Sequence, residues 1–209
     1  MKYGLMPKLM WGCYQGTFKK ELTRTLSETS PKSVMKEAHK KYKEILLDVT
    51  EFDKGDRFLI NILSCAMLSS VLLSVKNHYS VEEVRLYYRH AMCGNLITKI
   101  ASKGSKSYSP KGREKLKEQA KRSENNVNPY SWKFSVVDGK TLNQYTAYFY
   151  TCGICYLMRK LNLQEYISAM CTLDYDMAKL NHTVFTREQT LASGGKWCDC
   201  HYDHQGKRK

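Results

Sequence analysis

Asp174 stands on a helical repeat that is otherwise apolar. Ile167, Met170, Cys171, Met177 and Ala178 recur with it at intervals of three and four, which places all six on one face. That face should point at the core, where a carboxylate is costly unless paired or hydrogen-bonded. Desolvation there raises its pKa toward that of a useful general acid or base. Cys171, one turn earlier on the same face, is either a packed core thiol or a nucleophile beside that acid. Arg187 lies in a segment that reads as a strand, on the face of Phe185, Gln189 and Leu191. Its guanidinium can grip a substrate carboxylate in a fork of two bonds, or it can pair with Asp174. The two uses compete for one charge.

Four more cysteines have suggestive spacing. Cys152-Gly-Ile-Cys155 lies where a strand enters a helix, and Cys198-Asp-Cys200-His201 lies in the closing strand. Alternation turns Cys198, Cys200 and Tyr202 to one side and Trp197, Asp199 and His201 to the other. Cys152, Cys155, Cys198 and Cys200, with His201 or His204 as substitutes, offer a four-ligand zinc site. An extended Cys-x-Cys is not the usual zinc knuckle, so the expectation is no cofactor, with zinc as the alternative. A redox pair at Cys152 and Cys155 is weighed against by the absence of a βαβ unit around it. Ser193-Gly194-Gly195 reads as a hairpin turn whose amides can also meet an anion. The chain has no P-loop, dinucleotide fingerprint, nucleophile elbow or HExxH motif.

The elements that must position these residues follow from periodicity. Residues 31–49 read as a helix behind Ser30 and Pro31, with Val34, Ala38, Tyr42, Ile45 and Leu46 on one face. Residues 58–75 carry no charge but include Asn61 and four serines, and they fall short of the roughly 20 residues of a bilayer crossing. We read them as a buried central helix, not a membrane span. Ser80 and Glu83 form a capping-box pattern ahead of Val84, Tyr87, Tyr88, Ala91 and Met92. A basic stretch at 99–122 contains a turn-rich segment at 104–110 and then a polar helix; 125–129 is a connector. Residues 132–137 alternate as a strand, Asp138-Gly139 marks a hairpin turn, and 145–150 is a second strand. A helical region spans 153–180, with Asn162 and Glu165 capping a second helix inside it. Residues 183–191 and 196–202 form a second hairpin. The expected fold is α+β: N-terminal helices packed on a small C-terminal antiparallel sheet of about four strands. It is one domain over 1–209, helical at 1–130 and sheet-containing at 131–209.

Composition sets the outer limits. With 209 residues, 42% of them apolar and 26% charged, disorder is excluded as the main state. The N-terminus lacks an apolar core and a cleavage site, so we expect a cytoplasmic chain with reduced thiols. Lysines and arginines number 34 against 20 acidic residues, and most of the excess lies in 1–130. The stretch at 99–122 holds 9 basic and 2 acidic side chains with only Tyr108 to stack. We read it as a solvated face, so nucleic acid is not an expected partner; the expected partner is a small anionic molecule.

Three segments together resemble a known family. Cys152-Gly-Ile-Cys155, then Met170-Cys171-Thr-Leu-Asp174, then Phe185-Thr-Arg187-Glu-Gln-Thr190-Leu191-Ala-Ser-Gly194-Gly195-Lys-Trp-Cys198-Asp199 look like the L-2-amino-thiazoline-4-carboxylic acid hydrolases. The resemblance covers residues 131–203. One position departs from it: the family usually has an aromatic residue after Cys-Asp, where this chain has Cys200. The implied reaction is hydrolytic opening of a cyclic isothiourea-like ring to an N-carbamoyl-cysteine type product. Asp174, Cys171 and Cys198 are then the implied catalytic residues, and Arg187, Thr190, Cys152 and Asp199 the implied substrate contacts. A non-catalytic binding module on the same scaffold is the alternative.

Overall fold

The computed structural model describes residues 1–102 and 106–206. Lys103, Gly104 and Ser105, which belong to the basic stretch and the turn-rich segment, lie outside the described residues, as do Lys207, Arg208 and Lys209. Helix α1 (Leu5–Arg24) has no counterpart in the sequence reading. Its apolar side chains are spread around the axis: Met10, Trp11, Phe18 and Leu22 are buried, whereas Leu5, Met6 and Leu9 are exposed. No clean stripe announces it. Helix α2 (Pro31–Asp48) buries the anticipated face, although Ser30 makes no side-chain capping bond. Pro31, with its φ already set, starts the helix instead.

Helix α3 (Leu59–Leu72) is the central helix, with every residue from Ile62 to Val71 buried. Two of its serines are accommodated because Ser64 and Ser70 donate to the carbonyls of Asn61 and Met67. No described helix is long and apolar enough to cross a membrane. Helix α4 (Val81–Cys93) opens with both bonds of the Ser80–Glu83 capping box in place. Short α5 (Leu96–Ala101) and then α6 (Pro110–Ser123) follow. Within α6, Arg113 departs from the solvated reading of the basic stretch. Its buried guanidinium donates to Asp138 (2.7 Å) and to the carbonyls of Leu142 (2.8 Å), Gln144 (3.1 Å) and Ser107 (3.1 Å). It is a structural clasp on the first hairpin.

That hairpin joins β1 (Phe134–Asp138) to β2 (Gln144–Phe149). The connection is a longer loop over 139–143, not a two-residue turn at Asp138-Gly139. Gly139 is still required, because a Cβ there would lie 2.4 Å from the Gln144 Cβ. With β3 (Thr183–Thr186) and β4 (Cys198–His204), the described strands form one antiparallel sheet in the order β1-β2-β4-β3. Register aligns Val136, Ala147 and Cys200 in one inner row, and Tyr145, Tyr202 and Phe185 in the next.

Between the hairpins run α7 (Gly153–Lys160), α8 (Ile167–Cys171) and α9 (Leu173–Leu180). Asn162 does not cap the second helix; it ends the first. Its φ is +57°, its N–H bonds the Arg159 carbonyl at 3.1 Å, and the Leu163 N–H reaches back to Met158 at 2.8 Å. This is a Schellman ending, for which asparagine is a good left-handed residue. Only Thr172 separates α8 from α9, and its own dihedrals are helical, so Cys171 and Asp174 keep nearly the phase of one helix. Helix α7 packs on α3, α8 and α9 on α4, α9 on β3, and α6 on β1.

Candidate functional site

Strand β3 stops at Thr186, five residues short of the sequence reading, and the cause lies on the neighbouring strand. The Asp199 carboxylate accepts the backbone N–H of Gln189 at 2.8 Å and of Glu188 at 3.2 Å. The chain is thereby drawn off the ladder. Thr190 then caps a single 3-10 turn (Leu191–Ser193) by accepting the Ser193 N–H at 3.0 Å, and Gly194 closes it with φ +86°. The pleat nonetheless persists for one more residue. Thr186 pairs with His201, so Arg187 falls opposite Cys200 and points to the inner face.

There Arg187 chooses between its two possible uses. Its side chain is 6% exposed and donates from Nη1 to Asp174 Oδ2 at 3.0 Å. Nη2 donates to the Cys171 carbonyl at 3.1 Å, and the guanidinium also meets the Cys200 thiol. The rings of Phe185 and Tyr175 lie 5.4 and 5.6 Å from its carbon, a cation–π setting. The pairing with Asp174 is the one that is made.

Asp174 differs from its expected dry setting. Half of its side-chain surface is open, because the carboxylate leaves the apolar packing at the α8–α9 junction. Its pKa is nevertheless raised by burial, with Arg187 pulling the other way. The carboxylate thus meets solvent on one side and is held by Arg187 on the other. Tyr202 and Tyr88 feel its charge, and burial raises both phenols far above their ordinary range.

Burial favours the neutral form of the Cys171, Cys198 and Cys200 thiols beside it. Burial pushes Cys171 up to about 12, and the Asp174 charge adds to the rise. Cys200 is likewise pushed up to about 12 by burial and then by Asp174. Burial also raises Cys198, although the Leu191 N–H donates to its sulfur at 3.2 Å and works against the rise. Cys152 is the N-cap of α7, and its sulfur accepts the Cys155 N–H at 3.5 Å. The interaction between the two thiols holds Cys155 below the usual thiol range and Cys152 well above it.

The structure therefore gathers Asp174, Cys171, Arg187, Cys198 and Cys200, with Cys152 close enough to influence Cys171 and Cys198. Thr190 and Asp199 are spent on the loop that carries Arg187. The Gly195 N–H, offered by the sequence as an anion contact, bonds the Thr190 carbonyl at 2.8 Å. Among the described residues no three His, Cys, Asp or Glu side chains gather as metal ligands. His201 instead bonds Thr146 at 3.0 Å, and His204 stacks on Tyr108 at 4.5 Å. Tyr175 and Tyr88 belong to the surroundings of the site and were not legible as such. Tyr202 carried a signal, since alternation set it beside Cys198 and Cys200.

The model of a family described as L-2-amino-thiazoline-4-carboxylic acid hydrolase matches residues 61–202. The match takes in Asp174, Cys171, Arg187 and Cys198 and reaches from β4 back into α3. No curated protein and no solved structure matches the chain.

Proposed function

The chain belongs to the L-2-amino-thiazoline-4-carboxylic acid hydrolase family, and from that premise we propose that it hydrolyses a carboxylated cyclic isothiourea of the 2-aminothiazoline-4-carboxylate type. The observation that carries this reading is the half-open Asp174 carboxylate paired with buried Arg187 at 3.0 Å. Ring opening needs a group that takes a proton from water as its oxygen adds to the carbon between nitrogen and sulfur. That proton then goes to the departing thiolate. A carboxylate with a raised pKa is suited to both transfers. Arg187 orients it, and a guanidinium has five N–H donors, so those not held by Asp174, the Cys171 carbonyl and the Cys200 thiol remain for the carboxylate of the guest. Neutral Cys171 and Cys198 are poor nucleophiles as they stand; a covalent route through either would need Asp174 to remove the thiol proton first. Eight free cysteines suit a reducing compartment such as the cytoplasm.

The test is thiol release. Incubation with 2-aminothiazoline-4-carboxylate should liberate titratable thiol in proportion to enzyme. Binding with no release would assign the site to a ligand-binding module instead.

Arg187 gives a second, separable prediction. If Asp174 acts as a base, turnover falls as pH drops through its pKa. Burial raises that pKa and Arg187 lowers it, so Arg187→Met should move the acidic limb of kcat to higher pH and leave the alkaline plateau in place. A pure carboxylate clamp would raise KM and leave the limb where it was. The pH–rate profile distinguishes the two.

A further inference from the structure

The Cys152–Cys155 pair lines a cleft to which Asp174 and Arg187 do not contribute. The cleft, of about 960 Å³, is lined by both cysteines, Tyr156, Lys133, Arg159 and Lys160, and no acidic side chain lines it. Its charge is thus wholly cationic. Cys152 is the more open of the two thiols and Cys155 is buried. Cys152 occupies the N-cap of an eight-residue helix, where its sulfur accepts a backbone N–H. That N–H favours the Cys152 anion, but the neighbouring Cys155 sulfur and burial outweigh it and hold the Cys152 thiol high. The interaction between the two thiols lets the pair give up its first proton at Cys155.

We propose that this cleft binds an anionic low-molecular-weight disulfide and that Cys152 and Cys155 exchange with it to close reversibly into an intrachain disulfide. The Cys155 thiolate takes the Cys152 proton as the Cys152 sulfur attacks one sulfur of the guest; the guest's S–S bond breaks, and one half leaves as a thiolate that takes up a proton. Cys155 then loses its proton and attacks the Cys152 sulfur of the mixed disulfide, which expels the second half. The protein dithiol is oxidised by two electrons and the guest is reduced to two thiols. Access fixes the order: the open cysteine attacks and the buried one resolves. The proposal rests on this geometry and is independent of the ring-opening reading.

The full-length chain is incubated with oxidised glutathione, quenched with an alkylating agent and mapped by mass spectrometry. Cys152 and Cys155 should lose two hydrogens together and become alkylatable again on adding reduced glutathione, while Cys65 stays reduced. Oxidised glutathione, which is anionic, should act at least about tenfold faster than neutral hydroxyethyl disulfide. In Cys155→Ser, the glutathione adduct should stall on Cys152. Persistent alkylation of both cysteines in the wild-type chain, or first reaction at Cys171 or Cys198, would overturn the proposal. Equal rates with the two disulfides would overturn its anionic guest. The wild-type map decides the matter even where the serine variant fails to fold.

Discussion

Asp174→Asn is expected to lower kcat for thiol release by about 10³-fold, within the usual range for loss of a general acid–base group. The amide retains the shape of the carboxylate and keeps an oxygen for the Arg187 Nη1 donor. It cannot take a proton from water or return one to sulfur. The effect should therefore fall on kcat, while KM stays within about threefold because the site keeps its form. Thermal unfolding of the same variant separates a catalytic loss from a structural one, since Arg187 is left buried opposite a neutral group. A variant that turns over at the wild-type rate would remove Asp174 from the reaction.

Gly153→Ala is expected to be the most destabilising small substitution near the site. A Cβ at 153 would lie 1.9 Å from the Tyr130 carbonyl oxygen, 2.4 Å from its carbon and 3.0 Å from Ile62 Cδ1. The first two are backbone atoms and cannot rotate away. Tyr130 is also fixed in place: it is 2% exposed, its N–H bonds Asn128 at 3.0 Å and its hydroxyl donates to the Asp48 carbonyl at 2.9 Å. Either the start of α7 or the 125–129 connector must shift. Overpacking of this kind costs about 3 kcal/mol, more than the ~1 kcal/mol that alanine gains over glycine in a helix. For a chain of this size the net loss of about 2 kcal/mol corresponds to a fall in Tm of about 6 °C. Differential scanning calorimetry measures it, and an unchanged Tm would mean that the connector yields freely.

What could be read in advance was whatever is written in local periodicity. The faces of α2, α3 and α4, the Ser80–Glu83 box and the alternation of β4 each depend on residues within a few positions of one another. Helix α1 escaped because its buried and exposed apolar residues are interleaved. Asn162 misled because asparagine serves at either end of a helix, by its side chain at one and by its tolerance of positive φ at the other. The partner of Arg187 could not be chosen from spacing alone. That choice depends on how far β3 follows β4 before Asp199 pulls it away, which is a relation between strands. The neighbourhood of Asp174, Cys171 and Arg187 was legible, since Arg187 bonds both the Asp174 carboxylate and the Cys171 carbonyl. Thr190 and Asp199 were legible only as polar residues in the right neighbourhood.

Asp199 has a reach that its position conceals. It sits on the outer face of the sheet and never looks into the site, yet its two amide bonds decide where the next segment departs and so where the guanidinium comes to rest. The interior of this protein is thus adjustable from its surface. A change made in contact with solvent could retune an acid it does not touch, giving inheritance a way to vary substrate preference while the inner wall stays as it is.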